Sequence, residues 1–291
     1  MTERLSITKT YKLLIGGAFP RTESGRSIAI ADAAGRVVAH TCRASRKDLR
    51  NAVEASAGVA AKWAGTSAYL RGQILYRIAE MAEGKRVELI EACRAVDGRS
   101  ASDAAREVDA SIDRLVAFAG WTDKFSQVLG CANPVSGPYH NFTIPEASGV
   151  VGVVCPDEMP LLALVSLIAP PLAAGCPVIV LASEANPIPA MVLAECCATG
   201  DVPGGVVNIL TGQREELVPQ FASHREIIAL HGAGVNAEHA ATLRAGAAEN
   251  LKRVTVRETA GEAWFDRADC ESPWWIEPFV EFKTLWHPSS A

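Results

Sequence analysis

The chain contains 291 residues, of which 49% are hydrophobic, so it is long enough to bury one large core or two modest ones. Its formal net charge of -5 comes from interspersed acids and bases without a basic block, which argues against nucleic acid or an anionic membrane as the main partner. The first residues show no signal-peptide pattern, so we expect a cytoplasmic protein.

Short β-like runs with Gly and Pro turns predict a small antiparallel sheet at residues 11–15, 27–30 and 35–39. Apolar residues at three- and four-residue spacing then predict a helical layer, with helices at residues 46–63, 68–84, 86–97 and 101–125. Residues 131–144 follow as a predicted loop that enters an exposed hairpin arm.

From residue 150 onwards, short apolar runs alternate with helical patterns. The runs predict strands at residues 150–155, 178–182, 206–210, 227–230 and 253–256. This βαβ alternation predicts a parallel, doubly wound sheet. Residues 159–183 are uncharged throughout, but Pro170, Pro171 and the turn at 175–177 favour a buried helix followed by a strand over a membrane span.

The last segment, residues 279–286, predicts a two-faced strand. Its polar face carries Glu281 and Lys283, and its apolar face carries Val280, Phe282 and Trp286. A strand of this kind has an edge that is costly to leave bare, and its aromatic residues are typical of interfaces. The alternative is that this tail folds back on its own domain and covers apolar surface there.

Eight cysteines are scattered along the chain without a C-x-x-C pair, so we expect reduced, mostly buried thiols. A redox role for the vicinal pair Cys196 and Cys197 stays open. The histidines His224, His231 and His239 lie near one predicted sheet edge, but no carboxylate or cysteine falls at metal-ligand spacing with them, so we expect no metal.

Six motifs, in this order and spacing, resemble the aldehyde dehydrogenase superfamily along almost the whole chain. They are YKLLIGG at 11–17, AGWTDK at 119–124, GPYHNF at 137–142, APPLAAG at 169–175, PGGVVNILTG at 203–212 and NLKRVT at 250–255. The resemblance implies an α/β fold: a doubly wound parallel Rossmann-like sheet with an N-terminal helical layer and a small β oligomerisation element. It also implies NAD(P)-dependent aldehyde oxidation. The residues that the family uses for this reaction can be compared with those at the matching positions of this chain.

The positions that match the family's catalytic residues are altered. Glu158 stands where the family has an Asn that helps to form the oxyanion hole, and a carboxylate cannot donate a hydrogen bond; loss of such a donor costs about 10²–10³ in rate. Arg257 stands at the position of the general-base glutamate, and Glu258 follows one residue late, on the opposite face of a strand. Because adjacent residues point apart, we interpret Asp157 and Glu158 as a solvated turn and not as an acid–base pair.

The coenzyme positions are partly kept. Pro156, Glu184, Gly212 and Gly232 match the family's binding residues and are interpreted as vestigial. Leu181 replaces a lysine that holds the adenosine ribose in the family, which removes a charge-assisted hydrogen bond worth roughly 1.5–3 kcal/mol.

The start of the helix after Gly212 is also altered. Arg214, with Glu215 and Glu216, stands where small residues let a pyrophosphate approach the helix N-terminus, and Ala233 lacks the hydroxyl found after Gly232 in the family. We therefore expect no cofactor, with NAD(P) as the alternative.

The resemblance also implies a division into domains. Residues 1–130 and 149–270 match a degenerate coenzyme-binding Rossmann domain, and residues 131–148 and 276–291 match an oligomerisation arm and a C-terminal strand. The catalytic domain with its nucleophilic cysteine is absent between them. Cys270 is the cysteine nearest in sequence, but its neighbours supply no base, orienting group or oxyanion donor, so a catalytic role is not expected.

The function that follows is a catalytically inactive aldehyde dehydrogenase-like subunit with a structural or regulatory role. It would assemble with itself or with a full-length NAD(P)-dependent aldehyde dehydrogenase. One alternative is a module that binds NAD(P) or another adenine nucleotide, and another is an aldehyde oxidoreductase active only with a partner subunit.

Overall fold

The computed structural model describes residues 7–289; residues 1–6, at the start of the predicted coenzyme-type domain, and residues 290 and 291 of the predicted C-terminal segment lie outside this range. The strands are β1 (Lys9–Tyr11), β2 (Ser27–Ala31), β3 (Val37–Cys42), β4 (Cys131–Asn133), β5 (Tyr139–Ala147), β6 (Val151–Val154), β7 (Val178–Leu181), β8 (Val207–Leu210), β9 (Ala229–Ala233), β10 (Arg253–Arg257) and β11 (Val280–Pro288). The helices are α1 (Arg46–Ala64), α2 (Ala68–Gly84), α3 (Arg86–Arg94), α4 (Ala101–Trp121), α5 (Phe125–Leu129), α6 (Leu162–Ala174), α7 (Ile188–Thr199), α8 (Arg214–Ser223), α9 (Ala237–Asn250) and α10 (Arg267–Cys270).

The centre of the molecule is a five-stranded parallel sheet with strand order β10-β9-β6-β7-β8. Strands β6, β7 and β8 are buried at every residue, as expected for a sheet that is covered on both faces. The core on one face includes residues of α2, α3, α4, α6 and α7. Residues of α1, α8 and α9 fill the core on the other face, and the predicted doubly wound α/β fold is confirmed.

The N-terminal sheet has strand order β1-β3-β2 and differs from its prediction. Strands β2 and β3 are antiparallel, but β1 runs parallel to β3, so the prediction of an all-antiparallel sheet was wrong. The predicted strand at 11–15 is also divided. Tyr11 belongs to β1, whereas Leu14 pairs with Ile209 at the edge of the central sheet. An apolar run indicates a strand but not its partner. Here residues of the one run at 11–15 pair in two different sheets.

The uncharged segment at residues 159–183 forms α6 and then β7, as predicted. Every residue of α6 is buried. Pro170 and Pro171 lie inside the helix, and Gly175 ends it in a left-handed conformation with φ of 99°. Among the described residues, no helix is both long enough and apolar enough to cross a membrane.

A third sheet with strand order β11-β5-β4 is antiparallel throughout and contains the predicted hairpin arm and terminal strand. The chain reaches it from β10 through residues 258–279, which form short helical turns. Trp264, Trp275 and Phe279 of this connection are fully buried. These side chains cover one end of the central sheet, so the alternative that tail aromatics pack on the chain's own domain holds for Trp264 and Trp275, whereas Trp286 is exposed.

Candidate functional site

The carboxyl ends of β6, β7, β8 and β9 meet at one edge of the central sheet, which is where open α/β sheets bind ligands. The sequence motifs follow these strands directly. Asp157 and Glu158 follow β6, Glu184 follows β7, Gly212 follows β8, and Gly232 lies within β9. The fold therefore brings the predicted coenzyme positions to one place.

Arg214, the first residue of α8, occupies the middle of this edge. Its guanidinium donates to both carboxylate oxygens of Asp157, at 2.6 and 2.7 Å, and to the carbonyl oxygen of Cys155 at 2.7 Å. The arginine is 9% exposed. A bidentate pair between planar groups is among the strongest protein ion pairs.

Asp157 also accepts hydrogen bonds from the chain segment after β7. The Ser183 hydroxyl lies at 3.1 Å from Oδ1, and the backbone N–H groups of Glu184 and Ala185 lie at 2.9 and 3.0 Å. Burial alone would raise the pKa of Asp157, but these bonds and the Arg214 guanidinium outweigh burial and lower it. Asp157 and Glu158 are exposed in a bend, in line with the expected solvated turn, but the Asp157 carboxylate also joins three segments of the chain.

Glu184 lies at the N-terminus of α8. Its Oε2 accepts the backbone N–H of Arg214 at 3.0 Å, while Gln213 at the cap position makes no side-chain capping bond. The first N–H groups of a helix have no partner within the helix, and the macrodipole favours a negative charge beside them. A carboxylate of the chain thus satisfies one of the donors that this type of fold offers to a phosphate.

Glu158 points away from Asp157. Its Oε1 accepts from the backbone N–H of Gly261 at 3.1 Å and from the indole N–H of Trp264 at 3.2 Å. The two neighbouring carboxylates therefore bind different parts of the chain and do not converge on one point. Glu158 holds the turn after β10 against the end of β6.

Arg257, the last residue of β10, lies in a mostly buried network. Its Nε donates to Nε2 of His231 at 2.9 Å, and its guanidinium lies 3.6 Å over the centre of the Trp275 ring. Burial lowers the pKa of Arg257 to about 10. Glu258, the next residue, is exposed.

His231 completes this network. Its Nδ1 lies 2.9 Å from the carbonyl oxygen of Leu167, so Nδ1 carries the proton and Nε2 accepts from Arg257. Burial, together with the Arg257 charge, holds the pKa of His231 well below its ordinary value, and the ring is neutral. From the sequence, His231 was weighed only as a metal ligand, and no metal was expected. Its position inside the apolar strand Ala229–Ala233 was the available signal that it is a core residue.

Of the two glycines that match the family's motifs, only Gly212 lies where an added Cβ would be crowded. A Cβ at Gly212 would lie 3.0 Å from the Leu217 side chain and 3.4 Å from the backbone of Ala44, whereas one at Gly232 would meet Val154 at an ordinary 3.5 Å. Pro156 is buried.

The cysteine thiols and the other histidines do not join the site. His224 and His239 have separate partners, and within residues 7–289 no three His, Cys, Asp or Glu side chains are placed to hold a metal ion. Burial raises the pKa of Cys270 to about 11 and that of Cys196 to about 12, and raises that of Cys197 further. These thiols are therefore protonated at neutral pH.

Three cavities lie elsewhere on the molecule. One of about 730 Å³ lies between α2 and α4, one of about 720 Å³ lies beside the start of α1 and the end of α8, and one of about 570 Å³ lies between α4 and residues 265–271. Their linings do not include Glu184, Gly212 or Gly232.

Comparisons with known proteins agree with this geometry. The family model described as "Aldehyde dehydrogenase family" matches residues 20–270. Retinal dehydrogenase 2 of Mus musculus is 31% identical over 88% of this chain, and mitochondrial benzaldehyde dehydrogenase of Antirrhinum majus is 30% identical over 87%. These alignments cover 49% and 48% of the two relatives, so the chain spans about half their length.

Solved structures of aldehyde dehydrogenases also match this chain over about half of their own length. The NAD⁺ complex of an aldehyde dehydrogenase from Bacillus cereus superposes with a TM-score of 0.81 at 26% identity, covering 85% of this chain and 50% of that one. An aldehyde dehydrogenase structure from Brucella melitensis gives a TM-score of 0.80 with the same 50% coverage. On the family match over most of its length, the chain belongs to the aldehyde dehydrogenase family.

Proposed function

We propose that this chain is a catalytically inactive aldehyde dehydrogenase-like subunit with a structural or regulatory role in the cytoplasm, and that it assembles with itself or with a full-length aldehyde dehydrogenase. The observation that supports this most directly is at the N-terminus of α8. There Glu184 accepts the backbone N–H of Arg214, and the Arg214 side chain bridges Asp157 and Cys155.

This arrangement does not fit a bound coenzyme diphosphate. A diphosphate needs free N–H groups and small residues at a helix N-terminus. Here the first N–H is bonded to a carboxylate, the bulky Arg214 fills the site, and Asp157 and Glu184 would both repel an anion. The same contacts argue against the alternative of an NAD(P)- or adenine-nucleotide-binding module.

The residues at the catalytic positions support the absence of activity. The Glu158 carboxylate accepts hydrogen bonds from N–H groups and has no hydrogen to donate to an oxyanion. Arg257 is cationic at neutral pH and cannot accept a proton from water or a thiol. Cys270 is a buried thiol whose sulfur faces the Ala263 carbonyl oxygen. These contacts also disfavour an oxidoreductase that needs only a partner subunit.

The third sheet supports assembly as the remaining role. Phe282, Trp286 and Tyr139 are 48%, 61% and 46% exposed, and they lie on or beside the outer strand β11. Exposed aromatic residues at an open sheet edge are typical of an interface. The third sheet keeps an exposed edge, whereas Arg214 fills the ligand-binding edge of the central sheet. This combination is suited to assembly and not to catalytic turnover.

Two measurements test the proposal. Titration calorimetry with NAD and NADP at millimolar concentration should give no binding heat, and the isolated chain should form no NADH with aldehyde, whereas a full-length relative run in parallel should do both. A dissociation constant below the millimolar range would favour the nucleotide-binding module instead, and aldehyde-dependent NADH formation would overturn inactivity. A monomeric mass by light scattering, together with native pull-down that recovers no dehydrogenase, would overturn assembly.

A further inference from the structure

The cavity of about 720 Å³ beside the start of α1 and the end of α8 is rich in positive charge, and we call it the basic groove. Among the residues that the structure describes, its charged lining comprises four cations (Arg46, Lys47, Arg50 and Arg225) and two carboxylates (Glu23 and Glu226). The chain as a whole carries a net charge of -5, so this local excess of cations departs from the average. Its volume lies within the roughly 300–1,000 Å³ range of small-molecule sites.

Two of these cations already have acidic partners. The Lys47 ammonium lies 3.6 Å from Oε2 of Glu23, and Nε of Arg50 lies 3.7 Å from Oε1 of Glu54. Both pairs lie at the surface, where an ion pair contributes little to stability. Lys47 and Arg50 therefore add to the positive potential but are not the first groups that a ligand would meet.

Arg46 and Arg225 differ from these two. In the part of the chain that the structure describes, neither side chain forms an ion pair or a hydrogen bond, and both are exposed. They reach the basic groove from opposite walls, because Arg46 is the first residue of α1 and Arg225 follows the end of α8 at Ser223. An anion that enters between them meets two guanidinium groups without displacing an existing partner.

A buried ammonium lies behind the α8 wall of the basic groove. Lys252 is 7% exposed, and its Nζ donates to the carbonyl oxygens of His224 and Phe221. Burial lowers the pKa of Lys252 to about 8, so the ammonium form predominates at neutral pH. The pKa of His224, whose ring lines the groove, is lowered by burial and then by the charges of Lys252 and Arg46. The histidine thus registers a positive potential at this wall.

We propose that the basic groove binds a small molecule that carries two phosphate groups, held between Arg46 and Arg225. The planar guanidinium fork matches the geometry of phosphate oxygens and donates two parallel hydrogen bonds to them. A phosphate monoester carries a charge of about −1.5 to −2 at neutral pH, more than one cation offsets. A ligand with two such groups is therefore matched to two arginines that lack other partners and are reinforced by Lys252 behind them.

A small molecule fits the basic groove better than a membrane surface does. The groove is concave, and the negative net charge of the chain opposes adsorption to an anionic surface. The coenzymes are weaker candidates. The diphosphate of NAD is esterified on both sides and so carries less charge than a free diphosphate, and NADP adds a single monoester that reaches one arginine.

Calorimetry with inorganic pyrophosphate in metal-free buffer tests the site. The wild-type chain should bind pyrophosphate with a dissociation constant below about 1 mM, and inorganic phosphate roughly tenfold more weakly, because the latter reaches one arginine. Arg46→Gln and Arg225→Gln should each weaken pyrophosphate binding roughly tenfold or more. The matched control is Arg77→Gln, an exposed arginine of α2 on the opposite face of the central sheet, and it should bind as the wild type does.

Several calorimetric results would overturn the site. These are the absence of binding heat, an unchanged affinity in Arg46→Gln and Arg225→Gln, and an equal loss in Arg77→Gln. Sulfate that binds as tightly as pyrophosphate would also overturn it, because general attraction of anions then explains the heat. Circular dichroism checks that each variant folds.

The His224 ring supplies a second measurement inside the basic groove. Bound pyrophosphate offsets the positive charges near this ring, so saturating pyrophosphate should raise the pKa of His224 in an NMR titration. The variant His224→Asn identifies its resonance, and the rise should disappear in the Arg46→Gln/Arg225→Gln double variant at the same ligand concentration. A pKa of His224 that pyrophosphate leaves unchanged while heat is released would place the binding elsewhere and overturn this site.

Further outcomes separate the ligand classes and the two proposals. Vesicles containing phosphatidylglycerol that bind the chain more tightly than pyrophosphate does would replace the small molecule by a membrane surface. NADP is also titrated into the double variant, because binding that persists there is not in the basic groove and counts against the proposed function. A chain that binds no pyrophosphate overturns this inference and leaves inactivity and assembly as proposed.

Discussion

The ion pair between Arg214 and Asp157 gives the sharpest stability prediction. Replacing Arg214 by Ala removes two charge-assisted hydrogen bonds to Asp157 and one to the Cys155 carbonyl oxygen. Truncating one partner of a buried pair costs about 3–5 kcal/mol. The Asp157 side chain is 45% exposed, so water can replace part of the lost interaction. We therefore expect the free energy of unfolding to fall by about 2–3 kcal/mol.

Urea denaturation followed by circular dichroism measures this change. Arg106→Ala is the matched control, because Arg106 makes an equally bidentate pair with Glu262, at 3.0 and 2.7 Å, but on the surface. The control should lose less than about 1 kcal/mol. A loss in Arg214→Ala no larger than in the control would refute the view that Arg214 closes the sheet edge as a structural element.

Three further predictions concern ionisation and thiol reactivity. Because the pKa of Asp157 is lowered in the folded state, its stabilisation is present above about pH 4 and is lost as the pH falls through the folded pKa; urea titrations in Arg214→Ala should show a flatter loss across this range. The pKa of His231 is likewise lowered, so the folded protein should lose about 1.4 kcal/mol per pH unit as the pH falls below about 6.5, and His231→Gln should lack this component; equal slopes would contradict a buried neutral ring. Thiol titration of the native protein should find the exposed Cys131 reactive and the buried cysteines slow, and fast labelling that survives Cys131→Ser would contradict their burial.

The helices and parallel strands were largely predictable because their periodicity is local. Helix α2 has the predicted bounds, and the five parallel strands lie within two or three residues of their predicted limits. The N-terminal sheet was less predictable, since the run from Tyr11 to Ile15 is apolar enough for either of two sheets. Pattern sets the conformation of a segment, while the choice of partner depends on the assembled fold.

The contacts of the site could not be read from sequence for a similar reason. Arg214 and Asp157 are 57 residues apart and follow different strands, so nothing local indicates their pairing. Likewise, His231 and Arg257 meet because β9 and β10 are neighbours in register. The sequence identified Glu158 and Arg257 as altered positions, but not that each had acquired new partners within the fold.

The pairing of Asp157 with Arg214 also couples two positions at the ligand-binding edge of the sheet. Substituting Arg214 alone by a small residue would leave the Asp157 carboxylate without its cation, and substituting Asp157 alone would leave a mostly buried guanidinium without its anion. Each single substitution is therefore expected to destabilise the fold, and the two changes are non-additive because the residues are in contact. The two positions thus depend on each other, and a variant designed to open this edge of the sheet to a diphosphate requires both to change together.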